Sequence, residues 1–150
     1  MNNRVVVGVD FSDPSRTALD HAAAWAQRLG IPLMVVHVLL PPAPISPEER
    51  IAIPDPACLE ALEDRALGHL KQWTHGIPHA ATEVKWGSPA EGLMALVDPD
   101  SLLVVGQVGH SRMGRFLFGS TVARVVNHAP CDVLVVRREK SVPHESLLPA

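Results

Sequence analysis

Residues 102–137 read LLVVGQVGHSRMGRFLFGSTVARVVNHAPCDVLVVR, and the order of residue types in this stretch decides the fold. Leu102, Leu103, Val104 and Val105 form an apolar run with no polar alternation, as expected of a strand covered on both faces. A strand of that kind belongs to a parallel sheet between helix layers. The run stops at Gly106, and glycines recur at Gly109, Gly114 and Gly119. Glycine backbone reaches positive φ and lets another group come close without a Cβ in the way. Ser120 and Thr121 follow, then Val122, Val125 and Val126 at helical spacing, and Pro130 ends the pattern. The predicted unit is strand, glycine loop, helix entry, helix and strand.

The chain before this unit repeats the same alternation. RVVVGV at 4–9 predicts a first buried strand, closed by Asp10-Phe11-Ser12-Asp13-Pro14. Ser12 or Asp13 caps a helix whose first turn tolerates Pro14. Ala18, Leu19, Ala22, Trp25, Ala26 and Leu29 recur at helical spacing as far as Gly30, a C-terminal stop. A second strand is expected over 33–40. The five prolines between positions 41 and 54 break regular structure, so an extended loop covering the site is expected there. Leu59, Leu62, Ala66, Leu70 and Trp73 predict a second amphipathic helix. Thr82, Val84 and Trp86 alternate with Glu83 and Lys85, as in a half-exposed edge strand. Ser88-Pro89-Ala90-Glu91 is a capping box opening a third helix through Leu93, Leu96 and Val97, stopped by Asp98-Pro99-Asp100. The whole reads βαβαβαβαβ, an α/β chain whose right-handed crossovers place helices on both faces of an open, twisted, parallel five-stranded sheet.

Composition narrows the class. A chain of 150 residues, 47% hydrophobic and 19% charged, fits one globular domain, and its longest apolar runs are far too short to span a bilayer. MNNRVVVGVD meets an acid at Asp10 without the apolar core of a signal peptide, so a cytoplasmic location and no membrane partner are expected. The net charge of −3 argues against nucleic-acid binding, which uses a basic face. Cys58 and Cys131 have neither a metal nor a redox spacing, and Cys131 precedes an apolar strand, where a free cysteine packs as a small hydrophobe.

Local chemistry concentrates in the quoted stretch. A helix N-terminus presents unpaired N–H groups and about half a positive charge, so Gly119-Ser120-Thr121 after a glycine loop is a candidate anion cradle. Between Ser101 and Cys131 there is no Asp or Glu, although 16 acids occur in the chain, while Arg112, Arg115, Arg124, His110 and His128 all fall there. The competing account is that the glycines only make turns and the arginines only solvate a loop. Asp10, just past a strand end, faces the crevice where α/β sheets bind ligands. It is a candidate to accept from a ligand hydroxyl or to hold a cation, or else a turn Asp bonded to local backbone.

Several enzyme signatures fail. Gly114-x4-Gly119-Ser120-Thr121 has Ser120 where a phosphate-binding loop carries lysine, and it does not follow a strand directly. No water-positioning residue is evident, so phosphoryl transfer is expected to be slow at most and no catalytic residue is assigned. Gly109-His110-Ser111-Arg112-Met113 lacks the second glycine of a nucleophile elbow. His75 and His79 are separated by Gly76 and Pro78, which break the helix that would align them as metal ligands. His37 lies within a strand run and is expected to be a hydrogen-bonded core or interface histidine.

The spacing Gly106-x2-Gly109-x9-Gly119-Ser120, between a VVG strand end and APCDVLVVR, resembles the nucleotide-binding pattern of the universal stress protein family. RVVVGVDFSDPS, VVHVLLP and GSPAE extend the likeness over about residues 4–137. The resemblance implies an adenine nucleotide alpha hydrolase-like fold with strand order 3-2-1-4-5, a nucleotide-binding domain over 1–137 and a flexible tail over 138–150. It implies ATP as ligand, with Mg2+ as a possible companion: Asp10 at the ribose or a phosphate-bound cation, Val38 near the adenine, and Gly106, Gly109, Gly119 and Ser120 around the phosphates. Thr121 adds a backbone or hydroxyl contact. Val122 departs from the small or hydroxyl residue frequent there in the nucleotide-binding branch, and supplies no side-chain donor. The last strand, VLVV from Val133 to Val136, is implied at the sheet edge, where its open backbone favours a homodimer. The alternative is a dimeric stress protein that binds no nucleotide and works through protein contacts.

Overall fold

The computed structural model describes residues 1–41, 55–107 and 119–137. The expected covering loop after position 41, Gly109 with its neighbouring arginines, and the 138–150 tail lie outside the described residues. The elements are β1 (Arg4–Gly8), α1 (Asp13–Leu29), β2 (Leu33–Leu39), α2 (Pro56–Trp73), β3 (Ala80–Trp86), α3 (Pro89–Met94), β4 (Ser101–Gly106), α4 (Ser120–His128) and β5 (Asp132–Val136). All strand pairs are parallel, in the order β3-β2-β1-β4-β5. A helix is about 10 Å across and neighbouring strands lie about 4.8 Å apart, so each helix packs over more than one strand and ties the sheet together.

Alternation along β1 sends Val5, Val7 and Val9 to one face, where they meet Ala18, Leu19, Ala22 and Ala26 of α1 and Leu70 of α2. Val6 points the other way and joins Val36, Leu103 and Val105 beneath Ala90 and Leu93 of α3 and Val122 and Val125 of α4. Two faces with two cores explain why β1 and β4 read as unbroken apolar runs. α1 and α2 occupy one face and α3 and α4 the other because the chain moves outward through β2 and β3, then crosses back to β4 and β5. The reversal between β1 and β4 leaves a crevice at their carboxyl ends.

The helix boundaries follow from their caps. Ser12 is the N-cap of α1, its Oγ accepting from Ser15 N at 3.4 Å, and Gly30 closes the helix in the left-handed region at φ 65°. Ser88 caps α3, accepting from Glu91 N at 3.3 Å. α3 is shorter than its apolar spacing predicts: it ends at Met94, and Leu96 and Val97 pack from the turn that follows. Trp25 is 39% exposed, although its spacing assigns it to the core. It stands three residues from buried Ala22, about 60° round the helix, and so lies on the flank of a face made narrow by alanines. Val126 is likewise 51% exposed, while Val122 and Val125 are buried. β3 is an edge strand as expected, but Thr82 to Trp86 are half-buried throughout, with no clean alternation. Val84 packs into the α2 face, whereas Glu83 and Lys85 on the opposite face pair with each other at 3.0 Å.

Candidate functional site

A cleft of about 140 Å³ opens at the reversal point, lined among others by Gly8, Asp10 and Ser12 from β1 and its loop, Val36 and Val38 from β2, Leu93 from α3, Gly106 from β4, and Thr121 and Val122 from α4. Its floor is apolar because both cores end there. Asp10 is the only charged residue among the described lining residues.

The loop that carries Asp10 is built from three short side chains. Asp10 Oδ1 accepts from Ser12 N at 3.0 Å and also from Ser12 Oγ. Ser15, almost fully buried, accepts at Oγ from Asp10 N at 3.3 Å and donates to Ser12 O at 3.0 Å. Desolvation of the Asp10 carboxyl pushes its pKa up, but the Ser12 and Ser15 hydrogen bonds outweigh this and hold it below the ordinary carboxylate value. The group is therefore an anion at neutral pH. Asp10 is thus a turn aspartate whose bonds to Ser12 both go to Oδ1, and it also borders the crevice. The two accounts of it left open by the sequence are compatible.

Gly106 is explained by backbone packing. A Cβ there would lie 2.5 Å from the Pro14 carbonyl oxygen and 2.9 Å from its carbon, so only glycine lets the end of β4 meet the first turn of α1. At Gly92 a Cβ would come within 2.8 Å of Val38 Cγ2, so this glycine seats α3 against the end of β2 and narrows the cleft. Opposite, Gly119 is the N-cap of α4 and makes no side-chain cap bond. Ser120 is exposed, Thr121 is half-buried on the cleft wall, and Val122 is buried. Arg124 Nη2 meets Glu91 Oε1 at 3.1 Å, tying α4 to α3 at the surface.

The described site residues Asp10, Val38, Gly106 and Thr121 therefore line one cleft, and Gly119 and Ser120 open the helix that walls it. Gly109 lies outside the described residues. Sequence reasoning missed Leu93 and Pro89 as lining residues, although the capping box at 88–91 placed a helix start at this end of the sheet. It also missed a cluster beside the site. Phe11, in the left-handed region at φ 64°, stacks on His69 with ring centroids 3.8 Å apart and planes 9° apart. It is 4.6 Å from the His37 ring and meets Trp73 edge-on at 5.2 Å. His37 itself bonds Val9 O through Nδ1 at 2.7 Å, the satisfied histidine expected for this position.

The remaining described candidates stand apart from this cleft. His75 and His79 follow the end of α2, with Gly76 and His79 both at positive φ, so no helix aligns them. Among the described residues no group of three potential ligands could hold a metal ion. Burial pushes the Cys131 thiol up; a Leu103 backbone hydrogen bond pulls it back, and the charges of Asp132 and Asp98 raise it further. That disfavours the reactive thiolate. No helix among the described residues is long and apolar enough to cross a membrane.

Comparison with known proteins agrees with this geometry. The chain is 31% identical over 161 residues to a universal stress protein of Mycolicibacterium smegmatis, covering 97% of this chain and 51% of that protein. It therefore spans about half the length of that relative. Among solved structures it is similar to the universal stress protein UspA from Lactobacillus plantarum, with 28% identity, a TM-score of 0.71, and coverage of 91% of this chain and 99% of the other. A universal stress protein solved in complex with cAMP is also 28% identical, with a TM-score of 0.58 over 89% of this chain and 96% of that one. The sequence profile of the universal stress protein family matches residues 1–137, and the chain belongs to that family.

Proposed function

We propose that the chain binds an adenine nucleotide, ATP in particular, and acts as a nucleotide-dependent module in a stress response or its regulation. The observation that carries this reading is the convergence, at the sheet's reversal point, of an anionic loop on β1 with the start of α4, whose N-cap Gly119 makes no side-chain cap bond. The apolar lining by Val38 and Leu93 supports placing the base there. The described cleft, about 140 Å³, is smaller than the roughly 300–1,000 Å³ of a typical ligand pocket, so in this reading it takes the base alone and the sugar and phosphates extend along its rim. Asp10 accepts from ribose hydroxyls through Oδ2. The N–H groups of Ser120 and Thr121 bind phosphate beside Gly106 and Gly119, and Gly109, outside the described residues, is assigned to the same cradle from the sequence pattern alone. Val122 offers no side-chain donor, so its place is served by backbone N–H alone.

Magnesium fits as a companion of the nucleotide rather than as a resident ion. One carboxylate plus ligand phosphates is a usual magnesium donor set, and Asp10 is the single carboxylate among the described residues that line the cleft. With no lysine in the loop, and with Asp10, the carboxylate at the crevice, committed through Oδ1 to Ser12, the bound nucleotide acts as a ligand and not as a substrate turned over rapidly.

The same reading makes the protein a homodimer through β5. Gln107 N donates to Val136 O at 2.9 Å, so the backbone groups of Val136 point at β4. Alternation then turns those of Val135 outward along the open edge of the strand. The cAMP complex of a relative supports the ligand class.

Calorimetric titration of ATP, ADP, AMP and cAMP into wild type and Gly119→Val tests the site. Binding in the wild type and its loss in the variant are expected. Absence of heat with every nucleotide would favour the alternative, a stress module working only through protein contacts. Phosphate release at about 1 per second or faster, the ordinary enzyme range, would overturn the ligand role.

A further inference from the structure

We propose that Phe11 is a positioning residue for Asp10, and that α2 acts on the crevice through it by stacking His69 on its ring. The proposal rests on the nucleotide reading above. Phe11 follows Asp10 directly, and a non-glycine residue in the left-handed region stays there only when its surroundings hold it. Here they do so from three elements. His37 of β2 lies on one side, anchored to Val9 O, and His69 of α2 lies parallel to the ring at stacking distance. Trp73, one turn on in α2, closes the edge.

The α2 end of this clamp is fixed independently. The Arg16 guanidinium sits 5.2 Å from the centre of the Trp73 ring, and its Nη1 donates to Trp73 O at 3.0 Å. Arg16 belongs to the first turn of α1, the same turn that carries Ser12 and Ser15. The two short connections to the Asp10 loop, one through Phe11 and one through Arg16, thus come from the last turns of α2. If Phe11 relaxes from the left-handed region, the backbone N–H of Ser12 and the Asp10 carboxylate no longer converge. Asp10 then loses the bonds that keep it charged and aimed.

The test uses the full chain with His69→Ala, His69→Phe, Asp10→Asn, and His69→Ala combined with Asp10→Asn. His69 is exposed and alanine is the best helix former, so α2 is retained in these variants; matching circular dichroism spectra verify this. Carbon NMR of the Asp10 carboxyl in ligand-free protein reads the clamp, and calorimetry with ATP reads its consequence. In His69→Ala the Asp10 titration should move up towards the ordinary value of 3.8, and ATP affinity should fall about three- to tenfold, the scale of one aromatic pair. His69→Phe should restore both, and His69→Ala should have no further effect on affinity once Asp10 is Asn. An Asp10 titration unchanged in His69→Ala overturns the clamp, and a shifted titration with unchanged affinity overturns its link to the site. Failure of the wild type to bind ATP refutes the nucleotide reading instead, and the carboxyl titration then decides the clamp by itself.

Discussion

Replacing Gly106 with alanine tests whether the crevice depends on β4 touching α1. The new Cβ would lie 2.5 Å from Pro14 O, 2.9 Å from Pro14 C and 3.3 Å from Ser15 N. All three are backbone atoms, so no side chain can rotate away, and the first turn of α1 must shift. Overpacking of this kind costs about 1–3 kcal/mol, and alanine recovers about 0.4–1 kcal/mol by restricting the unfolded chain. The net loss lies between about 0 and 2.6 kcal/mol, centred near about 1.3 kcal/mol. For a chain of this length the central value lowers Tm by about 3–5 °C, since each kcal/mol is worth about 2–4 °C. Gly8→Ala is the control. Its Cβ would come within 2.8 Å of Leu93 Cδ1, the end of a flexible side chain that can move, so its loss should be smaller. Differential scanning calorimetry, with reversibility checked by a second scan, gives both values. A Tm for Gly106→Ala equal to or above wild type, or a larger loss in Gly8→Ala, would refute the argument that backbone contact dictates this glycine.

Further outcomes are expected elsewhere. Asp10 titrates below its ordinary value, so its hydrogen bonds contribute stability that is fully present above that value and is lost as pH falls through the lower, folded one. The Tm gap between wild type and Asp10→Asn should therefore be present at neutral pH and close in strong acid; a gap independent of pH would contradict this. Leu70→Ala removes the α2 side chain that is fully buried against the sheet and should cost about 2–5 kcal/mol in urea unfolding, without changing which face α2 covers. Val135→Pro deletes a backbone donor that faces away from β4, so the fold should survive while self-association weakens. Light scattering of the wild type near 16.2 kDa at micromolar concentration would rule out the dimer there.

Much of the architecture could be read directly because the signals are local. The unalternating runs of β1 and β4 report burial on both faces, Ser12 and Gly30 mark the ends of α1, and Ser88 with Glu91 marks the start of α3. Periodicity located the helices, but it measures direction around an axis and not distance from the sheet, so it placed Trp25 and Val126 in cores they only flank. It also ran α3 past Met94, because Leu96 and Val97 are apolar for packing from a turn. Strand order depended on family resemblance, since no single strand encodes its neighbour; pairing of β1 with β4 joins residues about a hundred positions apart. The same separation hid the cluster of Phe11, His37, His69 and Trp73. Each of these residues has an ordinary local explanation, as turn, strand or helix face, and their joint action on Asp10 exists only once β2 and α2 are laid against the end of β1. Gly106 shows the converse. Its glycine identity was legible and suggested ligand contact, yet the atom that demands it belongs to Pro14, whose nearness is a product of the sheet packing on α1.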